Sequence, residues 1–161
     1  KQSGVSRATF YKHFAEREQV LAELFQRLLG CEDAGAVPPA AAIDAGSAEE
    51  QVTGVVEAAV KRMLEQEQLA KFVYSLPVRH SALLRPGVNT APPVFEQVTH
   101  LIELGVSRGE LRDDVTVALL ARHILGGLET AMRDWAEGRV DDPLPQLRLM
   151  LGLCFHGVSK E

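Results

Sequence analysis

Three features of the 161-residue chain predict an all-α fold. Apolar residues recur at helical spacing, no apolar-polar alternation persists long enough for a strand, and helix start and stop residues flank the apolar runs. Hydrophobic residues at 46% and charged residues at 24% are globular values, which exclude a disordered or collagenous chain. No apolar run approaches the roughly 18 residues of a membrane span, and nothing at the start reads as a signal peptide, so no membrane is expected. Two cysteines, Cys31 and Cys154, cannot build a disulfide scaffold, and the expected compartment is the reducing cytoplasm.

The elements follow in order. Ser6 can cap a short helix from about Arg7 to Phe14, and Ala15-Glu16 opens another to about Asp33. In the second, Val20, Leu21, Leu24, Phe25 and Leu28 form one apolar stripe. Residues 35–46 hold Gly and Pro and read as a loop. Ser47 and Glu50 are spaced as a capping box, in which hydroxyl and carboxylate each accept from the other residue's free backbone amide, and a helix follows to about Glu67. A shorter piece spans about Gln68 to Ser75 and stops before Pro77. Residues 85–93 are a Pro- and Gly-rich loop whose Pro92 and Pro93 fit the first turn of a helix running to about Arg108 and ended by Gly109. Asp113 or Asp114 is expected to cap a long helix to about Glu137, stopped by Gly138. Asp142 and Pro143, as cap and first-turn residue, open a last helix to about Val158.

The net charge of −5 is the wrong sign for a nucleic-acid partner, but it is unevenly spread. Residues 1–30 carry five basic and three acidic side chains, and the remainder carries 12 and 19. A slightly basic head on an acidic body suggests two jobs. On a helical wheel Phe10 and Phe14 share one face of the first short helix, and Ala8, Thr9, Tyr11 and Lys12 lie opposite. A small residue, a hydroxyl, a phenol and an ammonium suit a major groove, with Gly4 supplying the preceding turn. Any amphipathic surface helix can show the same pattern.

The exact run Ser3-Gly4-Val5-Ser6-Arg7-Ala8-Thr9-Phe10-Tyr11-Lys12-His13-Phe14-Ala15-Glu16-Arg17-Glu18-Gln19-Val20-Leu21 goes further. It closely resembles the end of the helix-turn-helix and the start of the connecting helix in the TetR family of bacterial transcription regulators. The resemblance implies that Thr9, Tyr11, Lys12 and His13 lie at double-stranded operator DNA and that Arg17, where the family usually has Lys, contacts the backbone. Ser6 and Arg7 complete the expected DNA-binding set; Arg7 either reaches a base or phosphate or is a solvated surface charge. In that family a first helix and most of a second precede the Gly-Val-Ser turn, so the chain reads as a fragment. Residues 1–33 are then a partial DNA-binding domain, and residues 34–161 a helical ligand-binding and dimerisation domain.

The last two helices carry apolar residues around most of their circumference, which requires burial on more than one side. One side can face the chain's own core and the other a partner, or both can belong to a larger monomeric core. We expect a two-fold homodimer joined as a four-helix bundle through Leu120, Ile124, Leu128, Trp135, Leu147, Leu151 and Phe155, as the resemblance also implies. The resemblance further implies an apolar cavity for a small-molecule effector in the middle helices. Its expected lining is Met63, Phe72, Tyr74, Phe95, Thr99, His123 and Gly127, with His100 and Glu129 nearby. Methionines and aromatics at helical spacing also make plain core, and Glu129 can simply pair with Arg133. In the body the resemblance is looser, resting mainly on Gly109-Glu110-Leu111-Arg112-Asp113-Asp114.

Other chemistry has little support. Glu96, His100 and Glu103 allow a metal site only geometrically, neither cysteine has a CxxC partner or a neighbouring His, and no phosphate loop or Gly-x-Ser-x-Gly occurs. No cofactor and no enzymatic activity are expected. The sequence points to a ligand-responsive repressor that binds a palindromic operator as a homodimer. The rival is a helical dimeric small-molecule or protein-binding module that does not engage DNA.

Overall fold

The computed structural model describes residues 28, 46–75 and 93–157, and among these every regular element is a helix. Five helices are α1 (Ala48–Glu65), α2 (Glu67–Ser75), α3 (Pro93–Ser107), α4 (Val117–Ala136) and α5 (Pro143–His156). The capping box forms as expected: Ser47 Oγ accepts from the Glu50 amide at 3.3 Å, and Glu50 Oε2 accepts from the Ser47 amide at 3.0 Å. A third N-terminal donor, the Ala48 amide, is taken by Glu110 Oε2 at 2.5 Å, so a distant loop also secures this helix end. The inward stripe of α1 is Val52, Val55, Val56, Ala59, Val60 and Met63.

A break at Gln66, whose amide donates to Met63 O, lets α2 turn onto α4. There Lys71 pairs with Glu67 at 2.7 Å and lies 5.0 Å from the Trp135 ring centroid. Helices α3 and α4 end alike. Glu110 N donates to Gly105 O and Gly109 N to Val106 O; Arg139 N donates to Asp134 O and Gly138 N to Trp135 O. Such a turn needs a left-handed residue, and Gly109 and Gly138 supply it at φ 72° and 73°.

Two expected boundaries are corrected. Neither Asp113 nor Asp114 caps α4; the cap position is Thr116, whose side chain makes no capping hydrogen bond. The Asp114 carboxylate instead accepts from Nε and Nη2 of Arg112, both at 2.6 Å, and a nearby bidentate guanidinium outcompetes a helix amide. This pairing holds the Asp114 carboxyl below its ordinary range. Helix α5 begins as expected, with Asp142 Oδ1 accepting from the Leu144 amide at 2.9 Å, but stops at His156, before a Gly157 of positive φ.

Helix α1 packs on α3 and α5, while α4 packs on α5, α2 and α3. Their inner faces form one hydrophobic cluster that includes Val56, Met63, Leu101, Ile102, Met132, Leu147 and Leu151. Leu28, which the sequence places in the connecting helix, is helical, fully buried and part of this same cluster.

A polar tie joins α1 to α5. Arg148 donates through Nε and Nη2 to the two carboxylate oxygens of Glu57, at 2.6 and 3.1 Å, and Lys61 Nζ lies 3.5 Å from the same carboxylate. The Arg148 hydrogen bonds outweigh partial burial and hold the Glu57 carboxyl below its ordinary value of 4.5. A carboxyl depressed in the folded state stabilises the fold above its unfolded value, and that contribution is lost as pH falls through the folded value. Denaturant midpoints should therefore drop more between pH 6 and pH 3 in the native chain than in Glu57→Gln; equal drops would show that the pair adds nothing.

Candidate functional site

The expected DNA-binding residues Ser6, Arg7, Thr9, Tyr11, Lys12, His13 and Arg17 lie outside the described residues. The body offers two features of its own, a pocket and an outward apolar surface.

The pocket has a volume of about 140 Å³ and is built where three helices and one connection meet. Ile102 comes from the end of α3, and the turn after Gly109 folds Glu110, Leu111 and Arg112 back across it, with the Glu110 and Leu111 amides both donating to Gly105 O. Leu120, His123 and Ile124 come from the first turns of α4, and Cys154 and Phe155 from the end of α5. Both full charges in the lining are committed: Glu110 to the Ala48 amide, with Arg108 3.9 Å from its other oxygen, and Arg112 to Asp114. His123 is exposed and its imidazole makes no hydrogen bond among the described residues. Burial pushes the half-buried Cys154 thiol upward, so it stays protonated and is a poor nucleophile.

The residues expected to line the effector cavity are scattered. Met63 and Tyr74 are buried core and touch each other, Tyr74 Oη donating to Met63 Sδ at 3.4 Å. Burial pushes the Tyr74 phenol well above its ordinary value; the Glu129 carboxylate adds to this and Arg133 opposes it. Glu129 and Arg133 pair at 2.8 Å, as the i, i+4 spacing allows. Phe95 is half-buried against the core, and Thr99 spends its hydroxyl on the Phe95 carbonyl at 2.7 Å. Phe72 is 53% exposed. Gly127 sits at the α4–α5 contact, where an added Cβ would lie 3.3 Å from Met150 Cβ. Of the expected set only His123 lines the pocket.

The residues expected at a dimer interface lie mainly on the inner face of the last two helices. Ile124, Leu128, Trp135, Leu147 and Leu151 are buried in the chain's own core, and Leu120 and Phe155 are half-buried against it and line the pocket. This corrects which stripe is turned outward. The solvent side carries Leu119, Leu149 and Leu153 at 53%, 66% and 45% exposure, together with Gly126 and Gly152, above which an added Cβ would meet nothing within 4 Å. Leu147 and Leu149 lie roughly 200° apart around one helix, which is why a sequence apolar on both sides does not reveal the packed one.

Among the described residues no group of three or more His, Cys, Asp and Glu side chains could hold a metal ion; His100 Nδ1 and Glu103 Oε2 are 3.9 Å apart and both are exposed. No helix of the described residues is long and apolar enough to cross a membrane. No protein-family model, curated protein or solved structure matches the chain.

Proposed function

We propose that the chain is part of a ligand-responsive transcription regulator, a repressor that binds a palindromic operator as a homodimer and is released by a small molecule. The run Ser3–Leu21 carries this reading, because about a dozen positions agree in order with one helix-turn-helix family and their outward groups suit a major groove. Two features of the body support it. Leu28, expected in the helix that follows the recognition residues, is buried in the body's core, so a rearrangement there would reach that expected helix. The outward leucines of α4 and α5, Leu119, Leu149 and Leu153, would offer a second copy an apolar surface.

In this mechanism a two-fold dimer sets two recognition helices on half-sites about 34–36 Å apart. Ligand binding shifts the helix carrying Leu28 and changes that distance, coupling ligand and DNA by about 1–3 kcal/mol. The acidic body does no harm if it is held away from the DNA, and the basic head makes the contact.

A gel shift of the full-length protein on its own promoter region, repeated at several salt concentrations, tests the reading. A sequence-preferring complex that weakens steeply with salt is expected, and its absence would overturn the proposal. Replacing Tyr11 and Lys12 together with Ala should weaken that complex about tenfold or more while leaving the helical circular dichroism unchanged. Unchanged affinity would remove both residues from the interface.

A further inference from the structure

We propose that the pocket between α3, the α3–α4 connection, α4 and α5 binds a small neutral aromatic molecule bearing one hydrogen-bonding group, a phenol-like ligand. Its ring would lie against Ile102, Leu120, Ile124 and Phe155 and its polar group on His123. Size is the first argument. The volume of about 140 Å³ is close to that of an apolar cavity of about 150 Å³ known to hold benzene, so a single ring fills it. Shape and polarity are the second: aliphatic and aromatic walls come from three different helices, and few polar groups converge on them.

Charge is the third. Glu110 and Arg112 already have partners in Ala48 and Asp114, so a charged ligand would lose its hydration without gaining a free counter-ion. His123 is different: it lines the pocket from the solvent side and brings a ring nitrogen with no hydrogen bond among the described residues. A neutral imidazole can donate to or accept from a hydroxyl. The protonated Cys154 thiol adds a polarisable wall that suits an aromatic ring. Met63 and Tyr74, packed on each other elsewhere, take no part in this site. The inference goes beyond the regulator reading and stands whether or not the head binds DNA.

The test titrates phenol, toluene and benzoate into the full chain and follows methyl resonances of Ile102, Leu120 and Ile124 by NMR. Phenol should shift these signals saturably, and benzoate should bind more weakly than phenol. His123→Ala should weaken phenol binding by about three- to tenfold while leaving toluene unchanged. Leu120→Trp should fill the pocket and abolish binding of both, with circular dichroism confirming the fold. Phenol should also slow alkylation of Cys154, read from its peptide by mass spectrometry. Should Leu120→Trp fail to fold, the phenol–toluene comparison in His123→Ala decides, because that side chain is exposed. Benzoate binding more tightly than phenol, phenol binding unchanged by His123→Ala, or shifts centred on Met63 and Tyr74 would each overturn the proposal. A gel shift without a DNA complex would sink the regulator reading and leave these outcomes untouched.

Discussion

Gly105→Ala is expected to destabilise the fold by about 1 kcal/mol, although alanine is the better helix former by a similar amount. At this position in α3 an added Cβ would lie 2.5 Å from Ala48 Cβ, 2.8 Å from Leu111 Cδ1 and 3.0 Å from Leu111 Cγ. Relief is difficult. Ala48 is the first residue of α1, fixed by the Ser47–Glu50 box and by its own amide on Glu110, and its Cβ is no flexible chain end. Leu111 can rotate only by giving up its contact with the core and its place in the pocket wall. Overpacking of this kind costs about 1–3 kcal/mol, occasionally more, which outweighs the propensity gain. Gly54 is the internal control: it lies in α1 with nothing within 4 Å of an added Cβ, so Gly54→Ala should stabilise by about 0.5–1 kcal/mol. Urea unfolding of the two variants should shift the midpoint in opposite directions. Stabilisation by both would mean that α3 and α1 do not approach as described.

How far the sequence could be read depended on the range of the interaction involved. The Ser47–Glu50 box, the Asp142 cap and the stops at Gly109 and Gly138 were legible because each is decided within a few residues. Asp114 misled because Arg112, two residues back, competes for the same carboxylate, and propensity rules for caps do not weigh such a rival. The pocket was not legible. Its walls meet through contacts such as Glu110 to Ala48, 62 residues apart, for which no local pattern exists. The Met63 and Tyr74 aromatic-and-sulfur pattern looked like a ligand wall and is a filled core, where the tyrosine hydroxyl finds its partner in the methionine itself. His123 is the one residue of the expected lining that borders this pocket, and nothing local in the sequence separates it from the six that do not.

The second large effect concerns the outer side of α4 and α5. Replacing Leu149 and Leu153 together with Asp should turn the proposed dimer into a folded monomer. Both leucines are about half or more exposed, so dimer burial would gain only part of a leucine's full transfer energy, about 1 kcal/mol each. A two-fold interface uses each side chain twice, so four leucines contribute about 4 kcal/mol, or about a thousandfold in dimer affinity. The introduced carboxylates add a desolvation cost and like-charge repulsion across the axis. Sedimentation at fixed concentration should then show monomer, while the thermal unfolding of that monomer stays cooperative. Leu147→Ala is the necessary contrast. Leu147 is fully buried, and its truncation should cost about 2–5 kcal/mol of fold stability through the cavity it leaves. Leu149 is only two residues and Leu153 six residues from Leu147, so a shared phenotype would locate all three in one core and remove the basis for a dimer there. Monomer from the Asp pair with its fold retained, and a weakened fold from Leu147→Ala, would assign the outer stripe to a partner and the inner one to the chain itself.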